Sequence, residues 1–316
     1  MKFTRREFLR LAAVTLPAIA NGWASMAAEE AGTALVKSTK PQMITRAIPA
    51  TGELLPVIGL GTWQAFDVAS VPASLKPLGE VLRRFFAGGG RLIDSSPMYG
   101  QAEGVVGELL DAPHTRASAF IATKVWTSGR EAGIAQMRRS FELFRTRVID
   151  LMQIHNLLDW QTHLPTLRKM KDAGQIRYIG VTHYTDSALP ALAEIIGREP
   201  LDFVQLAYSI DDREAERRVL SLAADHKVAV IANRPFGGGG MFTRVRGKSL
   251  PGWASDFGCA SWADFFLKYI VSNPAVTCAI PATANPVHLS DNLEAGYGRL
   301  PDERERRRMA QLWDSM

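Results

Sequence analysis

Cysteine is almost missing from this chain, which carries only Cys259 and Cys278 in 316 residues. Two cysteines rule out a disulfide framework as the source of stability, and neither stands at metal-ligand spacing from a histidine. Cys278 lies in the apolar run Val276–Ile280, where a buried, unreactive thiol is expected. Basic stripes are scarce too. Of the formal net charge of +5, +3 belongs to residues 1–27 and the remainder is near +2, which leaves no electrostatic footprint for nucleic acid. Nothing resembles a metal cluster. Beyond the N-terminus no apolar run approaches the roughly 20 residues that span a bilayer, so the mature protein is expected to be soluble. What is present, 47% apolar and 22% charged residues, suffices for a large globular core.

At the N-terminus Thr4-Arg5-Arg6-Glu7-Phe8-Leu9-Arg10 precedes a moderately apolar run from Leu11 to Ala20, then small residues around Ser25-Met26-Ala27. Pro17, Asn21 and Gly22 interrupt that run, which argues against a spanning helix. Paired arginines followed by Phe-Leu and another base resemble the twin-arginine export signal. The expected organisation is a signal peptide at 1–27, a linker at 28–41 and one domain at 42–316. The twin-arginine translocation machinery is then a partner, the folded protein is periplasmic, and no stable membrane insertion follows cleavage after about Ala27. An ordinary basic leader or a short anchor is the alternative. Folding before export, in a reducing compartment, agrees with the shortage of cysteine.

From residue 42 the pattern becomes regular. Ile44–Ile48 and Leu54–Val57, around Ala50-Thr51-Gly52-Glu53, read as a hairpin closed by a glycine-containing turn. Eight β-prone runs follow: Val57–Thr62, Arg91–Ser95, Phe120–Lys124, Ile149–His155, Arg177–Thr182, Phe203–Ala207, Val228–Ala232 and Thr277–Ile280. Helical patterns separate them. Gln101–Leu110 aligns Val105, Val106, Leu109 and Leu110 on one face, and Gly174 stops the run Thr162–Ala173. A charged segment, Pro301–Ser315, opens with proline and keeps Met309, Leu312 and Trp313 to one side. Alternating strands and helices predict an α/β fold, a (β/α)₈ barrel with an N-terminal β-hairpin and an extra C-terminal helix. Trp63, Trp126 and Trp160 follow strands and would line an apolar substrate pocket or pack the barrel rim. His114, His163 and His226 read as surface residues.

In such a barrel, reactive side chains come from strand C-termini and the loops after them. Asp94 ends the second run, Tyr99 follows in the loop Pro97–Gly100, Lys124 ends the third and His155 the fourth. Singly each has an ordinary explanation; four polar residues converging from three successive strands do not. Hydride delivery to a carbonyl carbon leaves charge on oxygen that needs a proton. A tyrosine hydroxyl can give it, although its usual pKa near 10 makes it slow at neutral pH. A neighbouring ammonium, Lys124, is expected to lower that pKa, with Asp94 holding the ammonium and His155 orienting the carbonyl oxygen.

The motifs Gly59-Leu60-Gly61-Thr62-Trp63, Leu92–Gly100, Ile121-Ala122-Thr123-Lys124 and Gln153-Ile154-His155-Asn156 resemble, in order and spacing, the signatures of the aldo/keto reductase superfamily over roughly residues 42–300. The family's catalytic tetrad falls on Asp94, Tyr99, Lys124 and His155 without substitution. The resemblance implies reduction of an aldehyde or ketone with NADP as cofactor, NAD being the close second. Around the nicotinamide it is only partly kept. Thr182 and His183 stand where the family usually has Ser-Asn, and Gln205 keeps the expected carboxamide. Asn233-Arg234-Pro235-Phe236-Gly237 replaces Tyr-Ser-Pro-Leu-Gly, so the stacking tyrosine is gone, with Tyr208 as a neighbouring substitute. Gly237–Gly240 either admits a pyrophosphate close to its backbone or is a flexible loop. Thr283 leads to a helix with Asn285 as N-cap and Pro286 at its first position, a common phosphate site in barrels. Ala282 and His288 replace the Lys and Arg that many members set at the 2′-phosphate, whereas Asp291 and Asn292 match the adenine contacts. The competing function is an exported nicotinamide-cofactor-binding redox sensor or partner protein with little turnover.

Overall fold

The computed structural model describes residues 42–111 and 113–316; the signal peptide and linker expected at 1–27 and 28–41 lie outside the described residues. Residues Pro41–Met316 make one compact unit. Strands β1 (Thr45–Ala47) and β2 (Leu54–Pro56) pair antiparallel, with Thr45 opposite Pro56. Gly52, at φ 77°, closes the turn between them in the left-handed region where only glycine is unstrained. The barrel then runs β3 (Leu60–Gly61), α1 (Pro72–Ala87), β4 (Leu92–Asp94), α2 (Ala102–Leu109), α3 (Pro113–Ser118) and β5 (Phe120–Val125). It continues α4 (Arg130–Leu143), β6 (Ile149–His155), α5 (Trp160–Asp172), β7 (Ile176–Thr182), α6 (Leu189–Arg198) and β8 (Phe203–Ala207). It ends α7 (Val219–Asp225), β9 (Ala229–Asn233), α8 (Gly240–Arg244), α9 (Trp262–Val271), β10 (Val276–Ala279), α10 (Pro286–Glu294) and α11 (Glu303–Asp314).

Strands β3 to β10 lie side by side in chain order, all parallel. Backbone bonds from Gly59 N to Ala279 O (2.8 Å), Ala279 N to Val57 O (2.9 Å) and Gly61 N to Pro281 O (3.0 Å) join the first strand to the last and close the ring. The first expected strand, Val57–Thr62, is regular only at Leu60–Gly61, because residues 57 and 59 spend their bonds on that closure.

Side chains alternate across each strand, so every second residue enters the barrel. Leu92, Phe120, Leu151, Tyr178, Phe203, Ile231 and Cys278 form the inner apolar cluster, and Ile48 and Leu55 of the hairpin plug it from below. Thr51 and Glu53 bond the Tyr178 hydroxyl, both at 2.8 Å, which fixes the plug to the N-terminal end of β7. The intervening residues, such as Ile93, Ile121, Met152, Ile154, Val181 and Val204, pack against the helices in the outer layer. Gly180 is required where it stands: a Cβ there would lie 3.0 Å from Phe203 O and 3.1 Å from Gln153 Cγ.

Two local expectations are corrected. His163 is fully buried, one ring nitrogen 2.7 Å from Thr127 O, because Gly133 of α4 has no side chain to keep the imidazole out. Pro301 precedes the last helix instead of starting it; Asp302 is the N-cap, in a capping box with Glu305 (2.8 Å in each direction). Met309 and Trp313 are buried beneath that helix as expected, with Leu312 half-buried. His226 is exposed, and the side chain of His114 is outside the described residues. None of the described helices is long and apolar enough to cross a membrane.

Candidate active site

The alternation that buries Phe120 and Ala122 inside the barrel carries Lys124 inside as well, one pleat closer to the C-terminal mouth. The same rule brings in Asp94 after Leu92, Gln153 and His155 after Leu151, and Gln205 after Phe203. Lys124 is wholly buried, and its Nζ donates to Asp94 Oδ2 at 2.7 Å and to Ser95 O at 2.6 Å. The other oxygen, Oδ1, accepts from Gln205 Nε2 (2.8 Å) and Gln153 Nε2 (3.2 Å), so four hydrogen bonds hold this carboxylate and its ammonium in place. Burial alone would lower the Lys124 pKa. Asp94 and then Tyr99 outweigh it, the net shift is upward, and the ammonium stays charged.

Tyr99 reaches the same point from the loop after β4, with Lys124 Nζ 5.0 Å from its ring centre. Its phenol is pushed up by burial; Lys124 pulls it down without prevailing. The expected net lowering is therefore wrong, because the site is dry enough for desolvation to exceed the pull of one ammonium already shared with Asp94. A phenol of raised pKa holds its proton throughout neutral pH.

His155 Nδ1 lies 2.9 Å from Ser96 Oγ, and that hydroxyl accepts from Met98 N at 3.3 Å. Burial, then the charges of Lys124 and His183, drive its pKa down to about 3, so the ring is neutral. With the serine proton turned to Nδ1, the ring's own proton sits on Nε2. The imidazole meets Tyr99 edge-on at 6.0 Å and Trp126 at 6.3 Å. Trp126 and Trp63, 40% and 44% exposed, stand on loops at the same mouth of the barrel.

Thr182 Oγ1 donates to Gln205 Oε1 at 3.1 Å, so the Gln205 amide spans Thr182 and Asp94. His183 Nδ1 accepts the backbone N–H of Tyr184 (3.0 Å) and Thr185 (3.2 Å), which leaves Nε2 as its outward atom; burial lowers its pKa. Tyr184 stacks on His183 at 5.6 Å and 14°, and the guanidinium of Arg234 covers the Tyr184 ring at 5.3 Å. Asn233, at the end of β9, keeps a buried Oδ1 with no partner, as do Asn156 Oδ1 and Gln153 Oε1. Pro235 is buried, while Gly237, Gly238 and Gly239 are exposed and left-handed at φ 57°, 67° and 96°. Arg234 shares that conformation at φ 50°, which costs a residue with a side chain roughly 1–2 kcal/mol.

Tyr208 is no substitute for the missing tyrosine. It is fully buried, and its hydroxyl is engaged by Glu216, by Arg306 (2.6 Å) and by Asn273 (3.2 Å) in the helical layer. On α10, Asn285 Oδ1 caps Val287 N at 2.8 Å and Thr283 Oγ1 accepts from Asn285 N at 3.0 Å. Ala282 and His288 are exposed beside it. Asp291 accepts from Ser261 Oγ at 2.7 Å, tying α10 to the start of α9, and Asn292 is buried. No group of His, Cys, Asp and Glu among the described residues could hold a metal ion. Surface clefts near Phe144 (about 290 Å³) and near Pro49 (about 700 Å³) contain none of these residues, so converging polar chemistry marks the site.

Ser96 and Gln153 were not singled out from the sequence. Both lie inside the quoted motifs, and strand alternation counted back from His155 would have placed Gln153 in the interior.

The profile of the Aldo/keto reductase family matches residues 57–312. An aldo-keto reductase of Bacillus subtilis is 28% identical over 200 residues, covering 58% of this chain and 60% of that protein. A methylglyoxal reductase of Escherichia coli is 26% identical over 255 residues, 79% of this chain and 86% of that one. An aldo/keto reductase crystal structure from Klebsiella pneumoniae, in complex with NADP and acetate, superposes with a TM-score of 0.69 at 24% identity, over 83% of this chain and 93% of that one. That last likeness establishes the (β/α)₈ architecture.

Proposed function

Because this chain belongs to the aldo/keto reductase family, we propose that it is an NAD(P)-dependent oxidoreductase that reduces an aldehyde or ketone to the alcohol, with Tyr99 as general acid. The observation that carries the reading is the charged Lys124 beneath Tyr99, anchored on Asp94 at 2.7 Å, with neutral His155 alongside.

NADP is the cofactor this reading assigns, in keeping with the Klebsiella relative, and the residues at the mouth fit a nicotinamide dinucleotide. Asn233 offers a buried acceptor with nothing bonded to it, Thr182 and Gln205 present a hydroxyl and a carboxamide, and Gly237–Gly239 expose backbone to a close-lying phosphate. When bound, the reduced nicotinamide supplies a hydride to the carbonyl carbon. Tyr99 passes its hydroxyl proton to the carbonyl oxygen as charge gathers there. Lys124 then faces the phenolate, which a fixed ammonium stabilises more in a dry site than in water. Asp94, clamped by Gln153 and Gln205, keeps that ammonium from wandering. His155 donates Nε2–H to the same oxygen and orients it. Trp63 and Trp126 give the substrate an apolar wall.

Residues 1–27, with Arg5-Arg6 followed by Phe8-Leu9, support export of the folded protein through the twin-arginine machinery to the periplasm. Free nicotinamide cofactor is scarce outside the cytoplasm, so the protein would leave with its dinucleotide already bound.

The test is NADPH oxidation by the purified protein over a panel of aldehydes and ketones. Turnover abolished by Tyr99→Phe supports the reading. Cofactor binding without turnover by the unaltered protein would replace it with a cofactor-binding sensor.

A further inference from the structure

Arg234 is the least expected residue at the barrel mouth. It occupies a left-handed position at φ 50°, directly before Pro235, where backbone sterics disfavour any residue with a Cβ. Three of the next five residues, Gly237, Gly238 and Gly239, are left-handed glycines, so glycine would suit this position better. A strained arginine where glycine is sterically easier points to a use for the side chain. The guanidinium is exposed and makes no ion pair among the described residues. It sits over the Tyr184 ring, Cζ 5.3 Å from the ring centre, and Tyr184 in turn stacks on His183, so the guanidinium is held at this place by an aromatic pair. Its Nη2 is 3.6 Å from where a Cβ on Gly238 would sit, which puts that nitrogen beside the left-handed glycines. A planar cation beside left-handed glycine backbone is the chemistry of a phosphate cradle.

We propose that Arg234, braced on Tyr184 beside Gly238, grips the diphosphate bridge of the nicotinamide dinucleotide and supplies there the charge that Ala282 and His288 do not supply at the 2′-phosphate. The diphosphate is common to both nicotinamide dinucleotides. The chain therefore binds NADPH and NADH with similar affinity. This rests on the nicotinamide reading of the site.

The test measures dissociation constants of the purified protein for NADPH and NADH by tryptophan fluorescence, with inorganic pyrophosphate as competitor, in the parent and in Arg234→Ala, Arg234→Lys and Arg234→Gly. The expected result is a loss of about tenfold or more for both dinucleotides in the alanine and glycine variants, in equal proportion, with partial retention by lysine. Pyrophosphate should compete in the parent and much less in Arg234→Ala. Arg234→Gly should melt no lower than the parent, since it releases left-handed strain, which a merely structural arginine would not allow. Unchanged affinity in the alanine and glycine variants overturns the proposal, as does a loss confined to NADPH. A parent that prefers NADPH a hundredfold refutes the shared-affinity half. A parent that binds neither dinucleotide refutes the nicotinamide reading itself, and the proposal with it.

Discussion

Lys124 and Asp94, on adjacent strands and both buried, form an ion pair with Nζ 2.7 Å from Oδ2. The pair is stable only as a pair. Removing one partner of a buried, bonded ion pair typically costs about 3–5 kcal/mol, because the other is left charged in a dry site. Lys124→Met should therefore destabilise the protein by about that much and abolish turnover, and Lys124→Met with Asp94→Asn should regain most of the stability without activity. Denaturant unfolding of the single and double variants measures both effects, and additive losses would show that the two residues do not depend on each other.

Tyr99→Phe removes one hydroxyl and leaves the ring contacts with His155 in place. The expected change is a fall of about 10²- to 10⁴-fold in kcat with dinucleotide affinity unaltered. Steady-state rates and a fluorescence titration separate the two quantities.

The pH dependence follows from two shifts. Burial keeps the Tyr99 phenol protonated, so the rate of reduction should stay level through neutral pH and fall only under strongly alkaline conditions. His155, neutral down to about pH 3, should impose no acid limb between pH 5 and 8. For stability the sign is opposite to that of a salt-bridged histidine. The folded pKa is depressed, so the unfolded chain binds a proton that the folded one refuses, and stability is lost as pH falls from about 6.5 towards 3. His155→Gln should lose less over that interval, by about 1.4 kcal/mol per pH unit at most. Thermal melts at pH 7, 5 and 4 would show it.

The 2′-phosphate of NADPH has no cation waiting at positions 282 and 288. Introducing Ala282→Lys with His288→Arg should tighten NADPH by about tenfold or more and leave NADH unaffected, since a charge-assisted bond contributes about 1.5–3 kcal/mol. Equal gains for both dinucleotides would mean that the new charges act on the diphosphate instead.

A reporter fused to residues 1–27 should reach the periplasm only when folded, and Arg5-Arg6→Lys-Lys should retain it in the cytoplasm. The native chain recovered from the periplasm should carry nicotinamide dinucleotide, detectable by mass spectrometry after denaturation. Recovery without nucleotide would mean that the cofactor is not carried out with the folded protein.

Much of this protein is decided close along the chain. Seven of the eight expected barrel strands lie within about two residues of those observed, because a strand's alternation and the glycines and prolines that end it are local chemistry. Asn285 caps α10 as its sequence requires, and the tetrad residues stand at strand ends or in the loop after β4, where their motifs put them. Contacts across the barrel are another matter. Gln205 is 111 residues from Asp94 and Ser96 is 59 from His155, and only ring closure with its register brings them within bonding distance. The direction of the Tyr99 shift belongs to the same class, since it depends on how much water the closed barrel excludes and not on which residue is its neighbour. So does the fate of three aromatic rings: His163 goes inside because Gly133 leaves room, Tyr208 turns to the helices, and Tyr184 takes up Arg234. Local pattern determined which strands form and which residues end them; packing decided what each side chain meets and how dry its surroundings are.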